Sequence, residues 1–497
     1  MRILLWNTSR RCLSRGSLFP PRASSTYLRP WPCSSRRGLL TLAIETSCDD
    51  TCVAILEKNK AGHARLHFNE KITSDNRAFG GVHPAIAVVS HSENLAPLIR
   101  KALRALPSPA DDGSSREVNG DGMTIPVDGR PRLRPDFVSV TRGPGMTSNL
   151  ATGLNQAKGL ATAWDVPLLA VNHMQAHALT PRLVRALEAQ KTDLRLTNGM
   201  GKSDHYPHSP QFPFLSLLVS GGHTMLVHSR SLNDHAILAN AMNIAIGDML
   251  DKCARVLIPA EILSANNADH MYGPMFEEFA FPGSRASSDY EYNYEPPARR
   301  ADEIRTVESE DGWSLTPPLA LSGMGEAAAA KFEFAGINGK VQQIIRDHPD
   351  LSVDGRRILA QAAMTLVFEH LTIRLVYALQ VNSRKLPMRD VSTEPERQTG
   401  VNTVVLSGGV ASNKFLRHVV RSMLDARGFG HVEVVAPPVS LCTDNAAMIA
   451  WTGMEMYEDG WRSKHDILPF HKWPLDPNAE GGGILGASGW YRVPMPE

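Results

Sequence analysis

Two histidines stand four residues apart in His173-Met174-Gln175-Ala176-His177. In a helix, positions i and i+4 share a face, so both imidazoles can reach one ion. The competing reading is a pair of ordinary core or surface histidines. Further along, Cys442-Thr443-Asp444-Asn445-Ala446 offers a carboxylate at a strand-to-helix corner. Folded back onto the pair, Asp444 would complete a site of two histidines and one carboxylate with open positions, which suits Zn(II) or Fe(II). A zinc-protease signature is absent, because His-Glu-x-x-His needs a glutamate directly after the first histidine and this chain has Met174.

Four loops carry the remaining chemistry. Glu45-Thr46-Ser47-Cys48-Asp49-Asp50-Thr51 places hydroxyls and carboxylates at the tip of two strands, where they can meet phosphate, hold a cation or orient a nucleophile. Val219-Ser220-Gly221-Gly222-His223-Thr224 repeats the strand-turn-strand setting, with paired glycines that let the backbone approach an anion. Either turn alone is as readily an ordinary polar hairpin. In Leu406-Ser407-Gly408-Gly409-Val410-Ala411-Ser412-Asn413 a strand ends in two glycines and a helix begins, the place where open α/β sheets bind ligands. Thr141-Arg142-Gly143-Pro144-Gly145 is a fourth tight turn between strand and helix. The third loop does not match Gly-x-Gly-x-x-Gly, and no Gly-x-x-x-x-Gly-Lys-Ser/Thr occurs, which disfavours Rossmann dehydrogenases and P-loop NTPases.

The elements that must position these loops form an α/β pattern. Strands are expected at 39–45, 51–56, 136–141, 214–219, 224–228 and 402–406, and helices at 152–164 and 411–424. Four polar or Gly- and Pro-rich stretches, 107–134, 184–211, 282–312 and 382–400, read as surface insertions. The expected organisation is a leader (1–38), an N-terminal lobe (39–180), an insertion (181–212), a C-terminal lobe (213–460) and a tail packing on the lobes (461–497).

At 497 residues, 42% hydrophobic and 21% charged, the chain exceeds one compact core and predicts two domains. No run of about 18 apolar residues occurs, so no membrane span is expected and the protein should be soluble. Residues 1–40 hold eight arginines, many serines and no acid, the composition of a mitochondrial targeting peptide; a basic nucleic-acid-binding tail is the alternative. Of 52 Lys and Arg, eight lie there, whereas all 51 acids lie beyond, so the remainder carries a net charge near −7 and RNA must meet a local basic patch. Arg417, Arg421, Arg130, Arg132 and Arg134 are candidates for it. The six cysteines form no Cys-x-x-Cys pair, leaving neither a disulfide framework nor a thiolate zinc site, and Cys48 and Cys52 read as buried small apolar residues.

Taken together and in order, the segments are recognisable. They are Ile44-Glu45-Thr46-Ser47-Cys48-Asp49; Gly80-Gly81-Val82-x-Pro84 with His91; Gly143-Pro144-Gly145; Asn172-His173-Met174-x-x-His177; Ser220-Gly221-Gly222-His223-Thr224; Ser407-Gly408-Gly409-Val410 with Asn413; and Cys442-Thr443-Asp444-Asn445-x-Ala447-Met448-Ile449-Ala450. The series resembles the tRNA N6-adenosine threonylcarbamoyltransferases, and with the presequence their mitochondrial member, over about residues 40 to 460. The resemblance implies the duplicated architecture of actin, heat-shock chaperone ATPases and sugar kinases, with two RNase-H-like lobes and an interlobe active site. It implies His173, His177 and Asp444 as ligands of one divalent metal ion per subunit, Zn or Fe. It implies Ser220, Gly221, Gly222, His223, Thr224, Asp251, Gly273 and Asn413 as the nucleotide and threonylcarbamoyl site. Asp251 and Gly273 come from matching Gly247-Asp248-Met249-Leu250-Asp251-Lys252 and Tyr272-Gly273-Pro274 to the family's segments.

The implied reaction passes the threonylcarbamoyl group of threonylcarbamoyl adenylate to N6 of adenosine 37 in the anticodon loop of tRNAs that read codons beginning with adenine, releasing AMP. Asp49 or Asp50 is the candidate for orienting the amine. The implied partners are that tRNA loop, a separate synthase supplying the adenylate, and a second copy in a homodimer, in the mitochondrial matrix. Three positions depart from the family pattern: Asp50 and Asp248 stand for Glu, and Ala85 removes the carboxylate of the Gly-Gly-Val-x-Pro-Glu loop. Alternatives are an ATPase or kinase of the same architecture and a noncatalytic RNA-binding subunit; a metalloprotease is disfavoured by Met174.

Overall fold

The computed structural model describes residues 38–76, 82–109, 123–196, 209–265, 272–287, 290–322, 325–384 and 400–494. The leader and the glycines of the Gly80-Gly81 loop lie outside them.

Two sheets share one topology. The first is built from β1 (Leu39–Glu45), β2 (Asp50–Lys58), β3 (Ala64–Thr73), β4 (Phe137–Gly143) and β5 (Leu168–Asn172). The second uses β6 (Phe214–Val219), β7 (Thr224–Ser231), β8 (Asp234–Ala241), β9 (Thr403–Ser407) and β10 (Glu433–Val435). Their orders are β3-β2-β1-β4-β5 and β8-β7-β6-β9-β10. In each, the first three strands form an antiparallel meander and the last two add in parallel. The expected duplicated architecture is therefore present strand for strand.

Helices connect the strands in corresponding places. In the first half α1 (Pro84–Arg104) lies between β3 and β4, α2 (Thr147–Trp164) between β4 and β5, and α3 (His173–Leu196) follows β5. In the second half α4 (Ile246–Leu257), α5 (Tyr272–Ala280) and α6 (Val353–Arg384) lie between β8 and β9. There α7 (Lys414–Ala426) precedes β10 and α8 (Ala446–Glu458) follows it.

Side-chain alternation assigns the layers. Leu40, Leu42 and Ile44 of β1 pack with α1 and α2, whereas Ala43 packs on the opposite face with α3 and α8. In β9, Val405 joins the α3/α8 layer, while Val404 and Leu406 face α4, α6 and α7. Successive strand residues point to opposite faces, so the two sheets sandwich α3 and α8 between them. In α6, Val353–Asn382 is the one described stretch long and apolar enough to span a membrane, but Leu359, Ala363, Val367, Phe368, Leu371 and Leu375 bury it in the second core.

Several sequence-based boundaries shift. Helix α2 begins at Thr147 rather than 152, because the polar Thr147-Ser148-Asn149 run is its first turn. The helix expected at 411–424 splits into a 3-10 turn, Gly409–Ser412, and α7, since Asn413 leaves the helical conformation to cap α7. The stretch 107–134 contains a hairpin of Thr124–Val127 with Arg130–Leu133. The boundary at 180 falls inside α3, which continues through Leu196. Helix α8, which the boundary at 460 assigns to the second lobe, packs against the first sheet as well as the second. In the tail, β11 (Trp461–Ser463) and β12 (Trp490–Arg492) extend that sheet beyond β5.

Candidate metal centre and catalytic cleft

Strand parity places the first buried acid. Counting from Ala43, Glu45 points to the α3/α8 side of β1, and its side chain is 1% exposed. There its Oε1 accepts the Ser47 N–H, and its Oε2 accepts from the Thr141 hydroxyl and lies 3.2 Å from His173 Nδ1. Ser47 Oγ is 3.3 Å from the same nitrogen. A carboxylate facing Nδ1 favours the tautomer with hydrogen there, which leaves the Nε2 lone pair free to bind a cation.

The turn after β1 is held from several sides. His91 Nε2 donates to the Cys48 carbonyl at 3.0 Å, and its Nδ1 accepts from Thr51 Oγ1 at 2.7 Å. Asn149 Nδ2 also donates to the Cys48 carbonyl, and Met146 N–H donates to the Ser47 carbonyl at 2.9 Å. Gly145 touches the same segment: a Cβ there would sit 2.7 Å from Ser47 O, so only glycine allows this approach.

His173 opens α3 and His177 follows one turn later, both 5% exposed. Their Nε2 atoms lie 3.2 Å apart, and Asp444 Oδ1 is 3.0 Å from His177 Nε2 and 3.5 Å from His173 Nε2. Asp444 arrives from the end of the second sheet, just before α8, where Asn445 caps the helix by accepting Met448 N–H at 3.0 Å. One donor atom from each of the three residues lies within 4.8 Å of the other two. Buried His177 Nδ1 has no hydrogen-bond partner among the described residues.

Charge balance supports a cation here. Burial opposes ionisation of Asp444, yet His173, His177 and Lys71 hold its carboxyl well below the usual range. Burial likewise pushes Glu45 up, but His173 outweighs it and the net shift is downward. Burial lowers His173, while Asp444 and Glu45 overcome this and raise it to about 9. Without metal, a proton on His173 therefore compensates the buried Glu45 and the partly buried Asp444. The two Nε2 atoms and the Asp444 oxygen are a ligand set suited to Zn or Fe in that proton's place.

The two candidate acids separate. Asp50 accepts from Lys71 Nζ at 2.7 Å and from the Thr73 hydroxyl, so both its oxygens are engaged. Asp49 carries no ion pair among the described residues, and burial with the neighbouring Asp50 raises its pKa.

The β6–β7 turn closes on itself: Ser220 N–H donates to the His223 carbonyl at 2.8 Å, and His223 N–H to Ser220 Oγ at 3.0 Å. Thr224 Oγ1 accepts the Ile246 N–H at 2.8 Å and Ser220 O accepts the Gly247 N–H, tying the turn to the start of α4. Gly408 supports it from below with φ +94°, where a Cβ would lie 2.4 Å from Val219 O. A Cβ on Gly221 or Gly222 would meet nothing, which marks the open side. Desolvation, and then the charges of His173 and His177, push the exposed His223 ring down to about 4. His223 thus lies within electrostatic reach of the histidine pair.

Asp251, Gly273 and Asn413 are not joined to the histidine pair by any described hydrogen bond or ion pair. Asp251, on α4, is raised to about 6 by burial and by Asp248 against the opposing effect of Arg255. Gly273 lies at the start of α5, where an added Cβ would meet nothing within 4 Å. One turn later Glu277 accepts the Lys414 and Phe415 N–H groups at 2.8 and 3.0 Å. Asn413 Oδ1 accepts Leu416 N–H at 2.9 Å, so its side-chain oxygen is a helix cap.

In the sequence, Glu45, His91 and Thr443 stood in quoted segments without a role of their own, Ser47 stood only as one hydroxyl of its turn, and Lys71 and Thr73 lay in no quoted segment. A buried glutamate at the end of an apolar strand was the available signal for Glu45. Most candidate RNA-binding arginines are engaged internally: Arg132 on Leu106 O, Arg134 on Trp164 O, Arg417 on Ala411 O, and Arg421 on Asp425 and Val432 O. Cys52 is buried as expected, whereas Cys48 is partly exposed.

Comparison with known proteins gives a consistent result. A family profile described as tRNA N6-adenosine threonylcarbamoyltransferase matches residues 133–194 and 196–451. The chain is 33% identical over 466 residues to the mitochondrial tRNA N6-adenosine threonylcarbamoyltransferase of Schizosaccharomyces pombe, covering 92% of this chain and 90% of that protein. It is 31% identical to the Rhizobium etli tRNA N6-adenosine threonylcarbamoyltransferase, covering 90% and 98%. Among solved structures, HypF of T. kodakarensis aligns with TM-score 0.41 and 13% identity over 86% of this chain and 48% of that one. ROK hexokinase from Thermus thermophilus aligns with TM-score 0.31 and 11% identity over 83% and 98%.

Proposed function

The chain belongs to the tRNA N6-adenosine threonylcarbamoyltransferase family, as a mitochondrial member, and from that premise we propose how its own residues carry out the transfer. The reaction moves the threonylcarbamoyl group of an adenylate onto N6 of adenosine 37 in tRNA, forming t6A. The N6–carbonyl bond forms, the bond between carbonyl carbon and phosphate oxygen breaks, AMP leaves, and the amine gives up a proton. An exocyclic adenine amine is a weak nucleophile, so positioning, charge stabilisation and proton removal must be supplied.

His173, His177 and Asp444 would hold the divalent ion, Zn or Fe, which when bound supplies Lewis-acid charge for the donor's carbonyl or phosphate. The convergence of these three donors, with Glu45 orienting His173, is the observation that carries the reading. Ser220 and His223 close their turn on each other, which leaves the Gly221 and Gly222 N–H groups as phosphate donors on its open side. His223, held neutral, adds no charge beside the ion. Asp251, Gly273 and Asn413 would line the nucleotide side of the donor pocket. Asp49 accepts the amine proton: its raised pKa makes it a better base than an ordinary aspartate, and Asp50 is already paired. The acceptor base lies in a single-stranded loop, so turning it into the cleft costs little stacking energy. The same reading places the protein in the matrix, as a homodimer fed by a separate adenylate synthase.

The test is single-turnover transfer from labelled threonylcarbamoyl adenylate to unmodified mitochondrial tRNA, with His173→Ala protein and with tRNA lacking the target adenine as comparisons. Label should enter RNA only when both the histidine and the adenine are present. AMP or phosphate formed equally without tRNA would replace the transferase reading with a hydrolase or kinase.

A further inference from the structure

Lys71 sits on β3 directly across the ladder from Cys52. Residues opposite each other in an antiparallel pair share a face. Both reach the same target, since Cys52 Sγ lies 3.8 Å from the Asp444 carbonyl and Lys71 Nζ lies 3.3 Å from Thr443 Oγ1. The same ammonium is 2.7 Å from Asp50 Oδ2, and the other Asp50 oxygen takes the Thr73 hydroxyl. One cation thus joins the catalytic turn to the corner carrying Asp444, which is 373 residues away along the chain, one beyond the 372-residue separation of Lys71 and Thr443. Among the described residues, the other side-chain hydrogen bonds on this side are Cys52 Sγ to Asp444 O and the ties of Asn445 Nδ2 to Thr443 O and Leu441 O within its own loop.

We propose that Lys71 is a positioning residue that fixes the Thr443–Asp444 corner against the first sheet, with Asp50 as its counter-ion and not as a proton acceptor. An ammonium has three donors, and two matched acceptors define its direction. Without it, the 8% exposed Asp50 carboxylate would face Asp49 and Asp444 uncompensated, and like charge would push the corner away from the histidines. The inference rests on the metal site described above but not on the transfer chemistry.

The test is a titration of the metal-free full-length chain with Zn²⁺ against a chelating indicator, comparing wild type with Lys71→Met, Lys71→Arg, Asp50→Asn, Thr443→Val and the Lys71→Met/Asp50→Asn double variant. Loss of a hydrogen bond to a ligand weakens metal binding roughly 10- to 100-fold; Lys71 acts one residue away, on Thr443, so Lys71→Met should lose about tenfold, the lower end of that range. Asp50→Asn should weaken binding as well, and the double variant should be no worse than Lys71→Met, because partners in one network are non-additive. Lys71→Arg should recover most of the affinity, and Thr443→Val should lose several-fold; these two decide the matter if Lys71→Met does not fold. Wild-type affinity in folded Lys71→Met, or losses that multiply independently in the double variant, would overturn the proposal. If affinity falls as expected while wild type fails to modify tRNA, the positioning role stands and the transferase reading fails.

Discussion

Replacing Glu45 by Gln should uncouple His173 from the metal without disturbing the fold. The carboxylate has three partners: Oε1 accepts the Ser47 N–H, and Oε2 faces both the Thr141 hydroxyl and His173 Nδ1. Two of these, the Ser47 amide and the imidazole N–H, must donate. An amide side chain has one acceptor oxygen and one NH₂, so one orientation sets NH₂ against Ser47 N–H and the other sets it against His173 Nδ1. In the second case the imidazole escapes the conflict by moving its hydrogen to Nε2, the atom that must bind metal. In the first case His173 keeps its tautomer, but a buried N–H loses its acceptor and the turn carrying Asp49 loosens. Either outcome weakens Zn²⁺ affinity by roughly 10- to 100-fold, about 1.4 to 2.7 kcal/mol. The measurement is Zn²⁺ competition against a chelating dye, with thermal unfolding of the metal-free proteins as a control on folding. A folded Glu45→Gln protein binding Zn²⁺ within twofold of wild type would refute the argument that Glu45 sets the His173 tautomer.

Three further outcomes are expected. Metal and proton compete for His173, whose pKa in the metal-free protein is raised to about 9, so Zn²⁺ affinity should climb with pH and level off above about 9; calorimetry in buffers of different ionisation enthalpy should count a proton released per ion near pH 7. Asn413→Ala should cost about 1 kcal/mol of stability by removing the cap of α7, whereas Asn413→Asp keeps the acceptor and the melting temperature but raises KM for the adenylate; recovery of both would leave Asn413 a cap alone. If the Asp251 carboxylate accepts a donor hydroxyl, transfer should fall as pH drops through about 6, and Asp251→Asn should flatten that limb of the rate profile.

What was legible in the sequence followed from local chemistry. The pairs β1/β2 and β6/β7 were readable because apolar runs flank short polar turns, and both strand pairs formed with those turns at their tips. The His173/His177 spacing needed only one helical turn to bring the rings together. Long-range packing was not legible. The arginines taken for an RNA patch gave no hint that nearby main-chain carbonyls would occupy them. Lys71 lay outside every expected strand and motif, because its meaning depends on a loop 372 residues away.

The duplication explains why the proposed metal ligands come from such distant segments. Helix α3 follows β5, the last core strand of the first half, and α8 follows β10, its counterpart in the second. The two helices pack together between the sheets, so the start of each faces the start of the other. One start supplies His173 and His177; the other supplies Asp444 one residue before its Asn445 cap. Neither half alone has the full ligand set, and β1 contributes Glu45 only when the first sheet is formed. Metal affinity therefore reports whether both halves are docked. A change far from the ions that loosens the α3–α8 contact should lower Zn²⁺ affinity before it lowers the content of secondary structure.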